Sequence, residues 1–259
     1  MDPWVCRYLA GTLPEETRIQ LCGRLLVRIA GEDVTARLPG RKGRLLFAYL
    51  CVNRLRPVLR SELVDVLWAD GAPRSPERAL DPVVSRLRSA LGPNHLGGRS
   101  ELRLALPPEA HVDTEAAAEA IHRAPSAVRR GDWAAAWGPA RVALHVSNRT
   151  FLPGEEGDWI DELRRDLEDM RIRAHECVAA SGLGLGGPEV DSAKRSGRAL
   201  VKLAPHRESG YRLLMEALAF EGNTAEALDV YETLRLVMRD ELGVAPSRAS
   251  QELHRRLLA

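Results

Sequence analysis

Arg60-Ser61-Glu62-Leu63-Val64-Asp65-Val66-Leu67-Trp68, a short loop through Pro73, then Ser75 to Leu91 and Gly97 to Leu106, decide how this chain folds. The first stretch reads as a short helix, Pro73 as part of a turn, the second stretch as a longer helix, and the third as a β-hairpin. The longer helix is sharply bounded. Ser75 offers an oxygen to a free amide, Pro76 gives up no hydrogen bond at a first helical position, Glu77 suits the positive helix end, and Gly92-Pro93 stops the run. Between these limits Leu80, Val84, Leu87 and Leu91 recur at helical spacing, so one face is apolar and packs inward.

The opposite face carries Arg78, Asp81, Pro82, Ser85, Arg86, Arg88 and Ser89. Guanidinium groups donate in a planar fork that fits phosphates and guanine edges, and a plain solvated basic face is the alternative. Asp81-Pro82 interrupts this face. A proline inside a helix removes one hydrogen bond at a cost of about 3 kcal/mol. The sequence therefore predicts a kink there, or a helix that restarts with Asp81 as cap and Pro82 in first position.

Helix, turn, helix and hairpin form the order of a winged helix-turn-helix. Trp68, followed by Ala79-Leu80-Asp81-Pro82-Val83-Val84-Ser85-Arg86-Leu87-Arg88-Ser89-Ala90-Leu91-Gly92, resembles the DNA-binding domain of the Streptomyces antibiotic regulatory protein family. That family joins an OmpR-like winged helix to a bacterial transcriptional activator domain. The resemblance implies a base-edge contact for Arg86, phosphate contacts for Ser85, Arg88 and Arg78, wing contacts for Arg99 and Arg103, and a thymine-methyl contact for Pro82. Two local departures stand out. Leu59 replaces the family's capping Ser, which moves the expected cap to Ser61, and the Gly-Tyr pair before the last strand is missing, which predicts a short wing.

Upstream, residues 1–17 read as a Pro-containing leader. Arg18 to Ile29 and Val34 to Leu38 read as short antiparallel strands, and Gly43 to about Leu55 as a helix ended by Pro57. Downstream, Pro107-Pro108-Glu109-Ala110-His111-Val112-Asp113 marks a boundary, with Asp113 or Thr114 capping the next helix. Residues 18–107 are thus one domain and 108–259 another.

The second domain shows only helical signals: Thr114 to Arg130, Asp132 to Val146, Asp158 to Ser181, Asp191 to Leu203, Glu208 to Glu221, Thr224 to Leu242 and Ser247 to Leu258. Ala193 and Ala227 are 34 residues apart, the tetratricopeptide period, with Tyr211, Leu214, Gly222 and Tyr231 on matching positions. The run from Glu226-Ala227-Leu228-Asp229-Val230-Tyr231 to Gly243-Val244-Ala245-Pro246-Ser247 resembles the hallmark end of the bacterial transcriptional activator domain. The expected fold is an α+β winged helix-turn-helix (OmpR-like) followed by an all-α tetratricopeptide-like helical repeat domain.

Charge divides along the same line. Residues 18–107 hold 16 basic and 8 acidic side chains, and residues 108–259 hold 20 and 25, so a polyanion suits the first part and something else the second. No apolar run approaches the roughly 20 residues a membrane span needs, and the start lacks a signal-peptide pattern. With Cys6, Cys22, Cys51 and Cys177 showing no paired spacing, the reading is a cytoplasmic, nucleoid-associated protein without membrane contact.

Other motifs carry no chemistry. Gly182-Leu183-Gly184-Leu185-Gly186-Gly187 spells G-x-G-x-x-G but lacks the strand before it, and reads as a flexible interhelical loop. Arg41-Lys42-Gly43 lacks Walker spacing, the histidines lack metal-ligand spacing, and Trp68, Trp133 and Trp159 read as packing residues. No enzyme, cofactor or metal is expected. The resemblance implies a transcriptional activator that binds promoter-proximal direct repeats in double-stranded DNA, as a homodimer, and recruits RNA polymerase, often through its σ factor. The alternative is a divergent homologue that has lost DNA binding and serves as a protein-interaction or small-ligand-sensing module.

Overall fold

A computed structural model describes residues 16–68, 71 and 73–259. Most of the expected 1–17 leader, Cys6 included, lies outside the described residues, as does part of the loop after Trp68. The described chain forms two compact units. Unit one runs to Glu115 and also takes in Thr150–Leu163; unit two is Ala116–Arg149 with Arg164–Ala259.

In chain order unit one holds β1 (Arg18–Gln20), β2 (Leu26–Ile29), β3 (Glu32–Asp33), a 3-10 turn (Thr35–Arg37), α1 (Gly40–Val52), β4 (Val58–Leu59), α2 (Arg60–Leu67), α3 (Pro76–Leu91), β5 (Leu96–Gly97), β6 (Glu101–Leu104) and β7 (His111–Val112). One sheet has the order β3-β2-β1-β7 and the other β4-β6-β5. Every pairing is antiparallel except β1 with β7. Phe47, Leu46, Leu50, Leu63, Leu80, Leu87 and Leu102, all fully buried, fill the space among the three helices and β6.

Three local expectations are corrected. Val34 to Leu38 is not a strand: Asp33 Oδ1 accepts from the Thr35 amide at 2.9 Å and Thr35 Oγ1 from the Val27 amide at 2.8 Å, and these side-chain bonds turn the chain into a 3-10 helix. Helix α1 starts three residues earlier than expected and stops at Val52, where Asn53 Nδ2 donates to the Tyr49 carbonyl at 2.9 Å. A strand also lies at the expected boundary, because His111–Val112 pairs with β1. Just beyond it the buried Asp113 carboxylate accepts from the amides of Leu21 (3.0 Å), Cys22 (2.9 Å) and Thr114 (2.9 Å), so it closes the end of β1 and opens the next helix.

The division in space differs from the division in sequence. Cys22 pairs with Phe151 in an isolated bridge, the Leu152 amide donates to Leu21 O at 3.0 Å, and Glu155 receives Arg41 Nε at 2.7 Å. Trp159 stands edge-on to Tyr49, with ring centroids 5.0 Å apart, and to Phe151. These contacts hold 150–163 in unit one, far along the sequence from the strands they complete.

The remaining helices are α4 (Asp113–Arg129), α5 (Trp133–Ser147), α6 (Asp158–Leu185), α7 (Glu189–Leu203), α8 (Glu208–Phe220), α9 (Thr224–Leu242) and α10 (Arg248–Leu258). Buried alanines, among them Ala124, Ala140, Ala193 and Ala227, let neighbouring helices of unit two approach closely. The 34-residue pair Ala193 and Ala227 is fully buried, as is Tyr211, and Leu214 is buried beside them.

The glycine run is corrected too: α6 continues through Gly182 and Gly184 and ends only at Leu185. A Cβ on Gly184 would lie 2.3 Å from the Trp133 ring, and one on Gly182 would meet Glu189 O at 2.8 Å. The glycines make room for an indole and a backbone, so they belong to helix packing.

Candidate nucleic-acid interface

Helix α3 buries Leu80, Val84, Leu87, Ala90 and Leu91 and exposes Arg78, Asp81, Pro82, Ser85, Arg86 and Ser89. Arg78, Pro82 and Arg86 follow one another at four-residue spacing and share one stripe. The helix is unbroken from Pro76 to Leu91 with Pro82 inside it, so the expected restart at Asp81 does not occur. Ser75 precedes the helix without a side-chain capping bond; its carbonyl accepts from the Ala79 amide at 3.0 Å.

Asp81 has another partner. Arg60 Nη2 donates to its Oδ1 at 2.5 Å and to Glu77 O at 3.4 Å, while Arg60 Nη1 reaches Arg99 O at 3.5 Å. The Arg60 side chain is only 17% exposed and joins α2, α3 and the β5–β6 hairpin. Sequence reading missed it, because nothing in residues 60–67 shows which carboxylate 21 residues later lies within reach.

Ser61 does not take over the capping role. Leu59 is the N-cap residue, and the first amide of α2, on Arg60, donates to Ser100 O at 3.3 Å, so the hairpin satisfies it. Glu62 reaches back to the Leu59 amide, the half of a capping box that an acidic third residue supplies. Arg56 beside Glu62, with the Tyr49 hydroxyl at 2.5 Å, holds this carboxyl below its usual range against the opposing effect of burial.

The hairpin is short, as expected: Leu96 faces Leu104 and Gly97 faces Arg103. Gly98 turns it with φ of +90°, and a Cβ there would run into Glu101 O. Arg88, expected on phosphate, is placed differently. Its Nε donates to Leu96 O at 3.2 Å and its Nη2 to Gly98 O, so the half-buried guanidinium ties α3 to the hairpin. The Leu96 carbonyl in β5 and the Gly98 carbonyl in the turn beyond it both take their donors from Arg88.

The six other residues assigned to DNA, Arg78, Pro82, Ser85, Arg86, Arg99 and Arg103, are exposed. The side chains of Arg78, Arg86, Arg99 and Arg103 make no ion pair with any described residue. Elsewhere in unit one Arg37, Arg41, Arg44, Arg54 and Arg56 are all paired to carboxylates. Four guanidinium groups on α3 and the hairpin thus stand without an ion pair among the described residues, as do those of Arg24, Arg28 and Arg74 elsewhere in unit one.

A family model described as Bacterial transcriptional activator domain matches residues 112–258. The chain is 33% identical over 232 residues to the regulatory protein AfsR of Streptomyces coelicolor, covering 88% of this chain and 23% of that protein. It is 27% identical to the transcriptional regulatory protein EmbR of Mycobacterium tuberculosis, covering 96% of this chain and 66% of that one. With the regulatory protein DnrI of Streptomyces peucetius the identity is 27%, over 93% and 92% of the two chains. A solved structure of Mycobacterium tuberculosis EmbR in complex with a low affinity phosphopeptide shares the fold, with a TM-score of 0.75 at 22% identity over 94% of this chain and 64% of that one. These findings place the chain among bacterial transcriptional regulators. It belongs to the bacterial transcriptional activator domain family, in the company of regulators of the Streptomyces antibiotic regulatory protein type. The chain spans only 23% of the length of AfsR and 66% of that of EmbR.

Proposed function

We propose that unit one is an OmpR-like winged helix-turn-helix that lays α3 in the major groove of double-stranded DNA, and that the chain acts as a promoter-proximal transcriptional activator. The observation that carries this reading is the set of four exposed, unpaired guanidinium groups on α3 and the wing. Arg86 reads a base edge, Pro82 meets a thymine methyl, and Arg78, Ser85, Arg99 and Arg103 hold phosphate. Arg88 and Arg60 act one step back, fixing the wing and α2 against α3. The unbroken α3 favours this reading over a homologue that has lost DNA binding.

The tetratricopeptide-like helices of unit two would then support a homodimer on direct repeats and present a surface to RNA polymerase, its σ factor included. Fluorescence anisotropy on duplexes from the gene's own upstream region and on scrambled duplexes, across a salt series, tests the proposal. Three neutralised phosphates per chain give a log–log salt slope of about −3. Cognate and scrambled duplexes binding alike, or no binding at low salt, would overturn it.

A further inference from the structure

Unit two contains a cleft of about 300 Å³ lined by Arg141 and Leu144 of α5, His175 and Val178 of α6, and Ser192, Arg195 and Ser196 of α7. This is the low end of the size range for small-molecule sites. The lining has an uneven chemistry: two guanidinium groups, two hydroxyls and an imidazole stand over the aliphatic Leu144 and Val178, and none of the lining residues is a carboxylate. Arg141 and Arg195 are exposed, whereas Ser196 and His175 are 3% and 8% exposed. Charge therefore stands at the rim and neutral donors lie deeper.

Neither arginine is paired with an acid among the described residues. The Arg141 guanidinium lies 5.4 Å from the centre of the Trp137 ring, and Arg195 Nη2 donates to Ser192 Oγ at 2.7 Å, which fixes the direction of both at the rim. His175 is the second observation. Its Nδ1 is enclosed and has no hydrogen-bond partner among the described residues, so the ring keeps hydrogen-bonding capacity that the fold does not use. Burial, with Arg171 on the same helix adding to it, pushes the ring's pKa down to about 4, and the imidazole is therefore neutral at ordinary pH. A neutral ring carries one N–H donor and one acceptor nitrogen.

We propose that this cleft binds a small oxyanion, either a phosphate group or the carboxylate of a compact metabolite. Arg141 and Arg195 supply the charge, and Ser192, Ser196 and the His175 ring supply neutral hydrogen bonds. Such a ligand accepts from these groups together and bridges α5, α6 and α7 within one unit. The site is separate from the DNA-facing arginines and uses none of them.

The test is isothermal titration of the whole chain with inorganic phosphate and, in a second arm, succinate, at ionic strength held constant with chloride. Saturable binding in one arm assigns the ligand class. Arg141→Gln and Arg195→Gln are each expected to weaken that binding about tenfold, the loss of one charged hydrogen bond, with Arg235→Gln unchanged as the control. Circular dichroism checks that the variants fold. Histidine-resolved NMR gives an independent readout: burial, with Arg171 adding to it, makes the His175 ring titrate low when the cleft is empty, and an anion held beside it by Arg141 and Arg195 raises that value. No saturable binding in either arm, or equal binding by wild type and both rim variants, overturns the proposal.

Discussion

Arg60 Nη2 lies 2.5 Å from Asp81 Oδ1, across the step from α2 to the middle of α3. Pro82, the next residue, removes a helical hydrogen bond at this point, so the ion pair braces α3 where its own ladder is weakest. Arg60→Met keeps the stem but loses the pair and the bonds to Glu77 O and Arg99 O. Expected is a loss of about 1 kcal/mol in urea-unfolding stability, with weaker binding to every DNA sequence alike. Unchanged DNA affinity would show that the brace does not position α3.

Arg86 and Arg103 are both exposed and unpaired, yet they sit on different elements. Arg86→Ala is expected to lose about 1–3 kcal/mol of discrimination between cognate and scrambled duplexes, and Arg103→Ala to weaken both equally and reduce the salt slope by about 1. Competition binding at two salt concentrations separates the effects. Equal losses for both mutants on both duplexes would sink the division of roles.

Gly184→Ala reverses an ordinary rule. In an open helix the change stabilises by up to about 1 kcal/mol, because alanine is the better helix former. Here the new methyl enters the Trp133 ring at 2.3 Å, and overpacking of this kind costs about 1–3 kcal/mol. Urea unfolding followed by circular dichroism decides the sign.

His175 ties the stability of unit two to pH. Its folded pKa of about 4 lies below the ordinary histidine value, so between the two the unfolded chain holds a proton that the folded chain does not. The stabilising contribution is complete above the unfolded value of about 6.5 and is lost as pH falls towards 4. Lowering the pH from about 7 to about 5 is expected to cost about 1–2 kcal/mol, and His175→Gln to flatten that dependence. Parallel curves for the two proteins would assign the loss to other groups.

Much of the fold is legible in the sequence. Leu80, Val84, Leu87 and Leu91 mark the buried face of α3 through their spacing alone, and the helical stretches read from Thr114 onward match the observed helices to within a few residues. The features that escape depend on contacts far along the chain. Arg78 and Arg88 look alike in sequence, but the carbonyls of Leu96 and Gly98 claim only Arg88. Strands of two residues, such as His111–Val112, are too short to show alternation, and the bonds that define them lie about 90 residues away. Gly182 and Gly184 read as a loop because helix propensity counts against glycine and says nothing about an indole that needs the space.

The return of Thr150–Leu163 to unit one bears on how such regulators are inherited. A gene exchange with a single breakpoint near Pro107 separates Cys22 from Phe151, Arg41 from Glu155 and Tyr49 from Trp159. Each hybrid then faces partner side chains drawn from another lineage. Swapping the first unit cleanly takes breakpoints on both sides of the α4–α5 hairpin and a third within α6, so the two halves of the chain are expected to descend together.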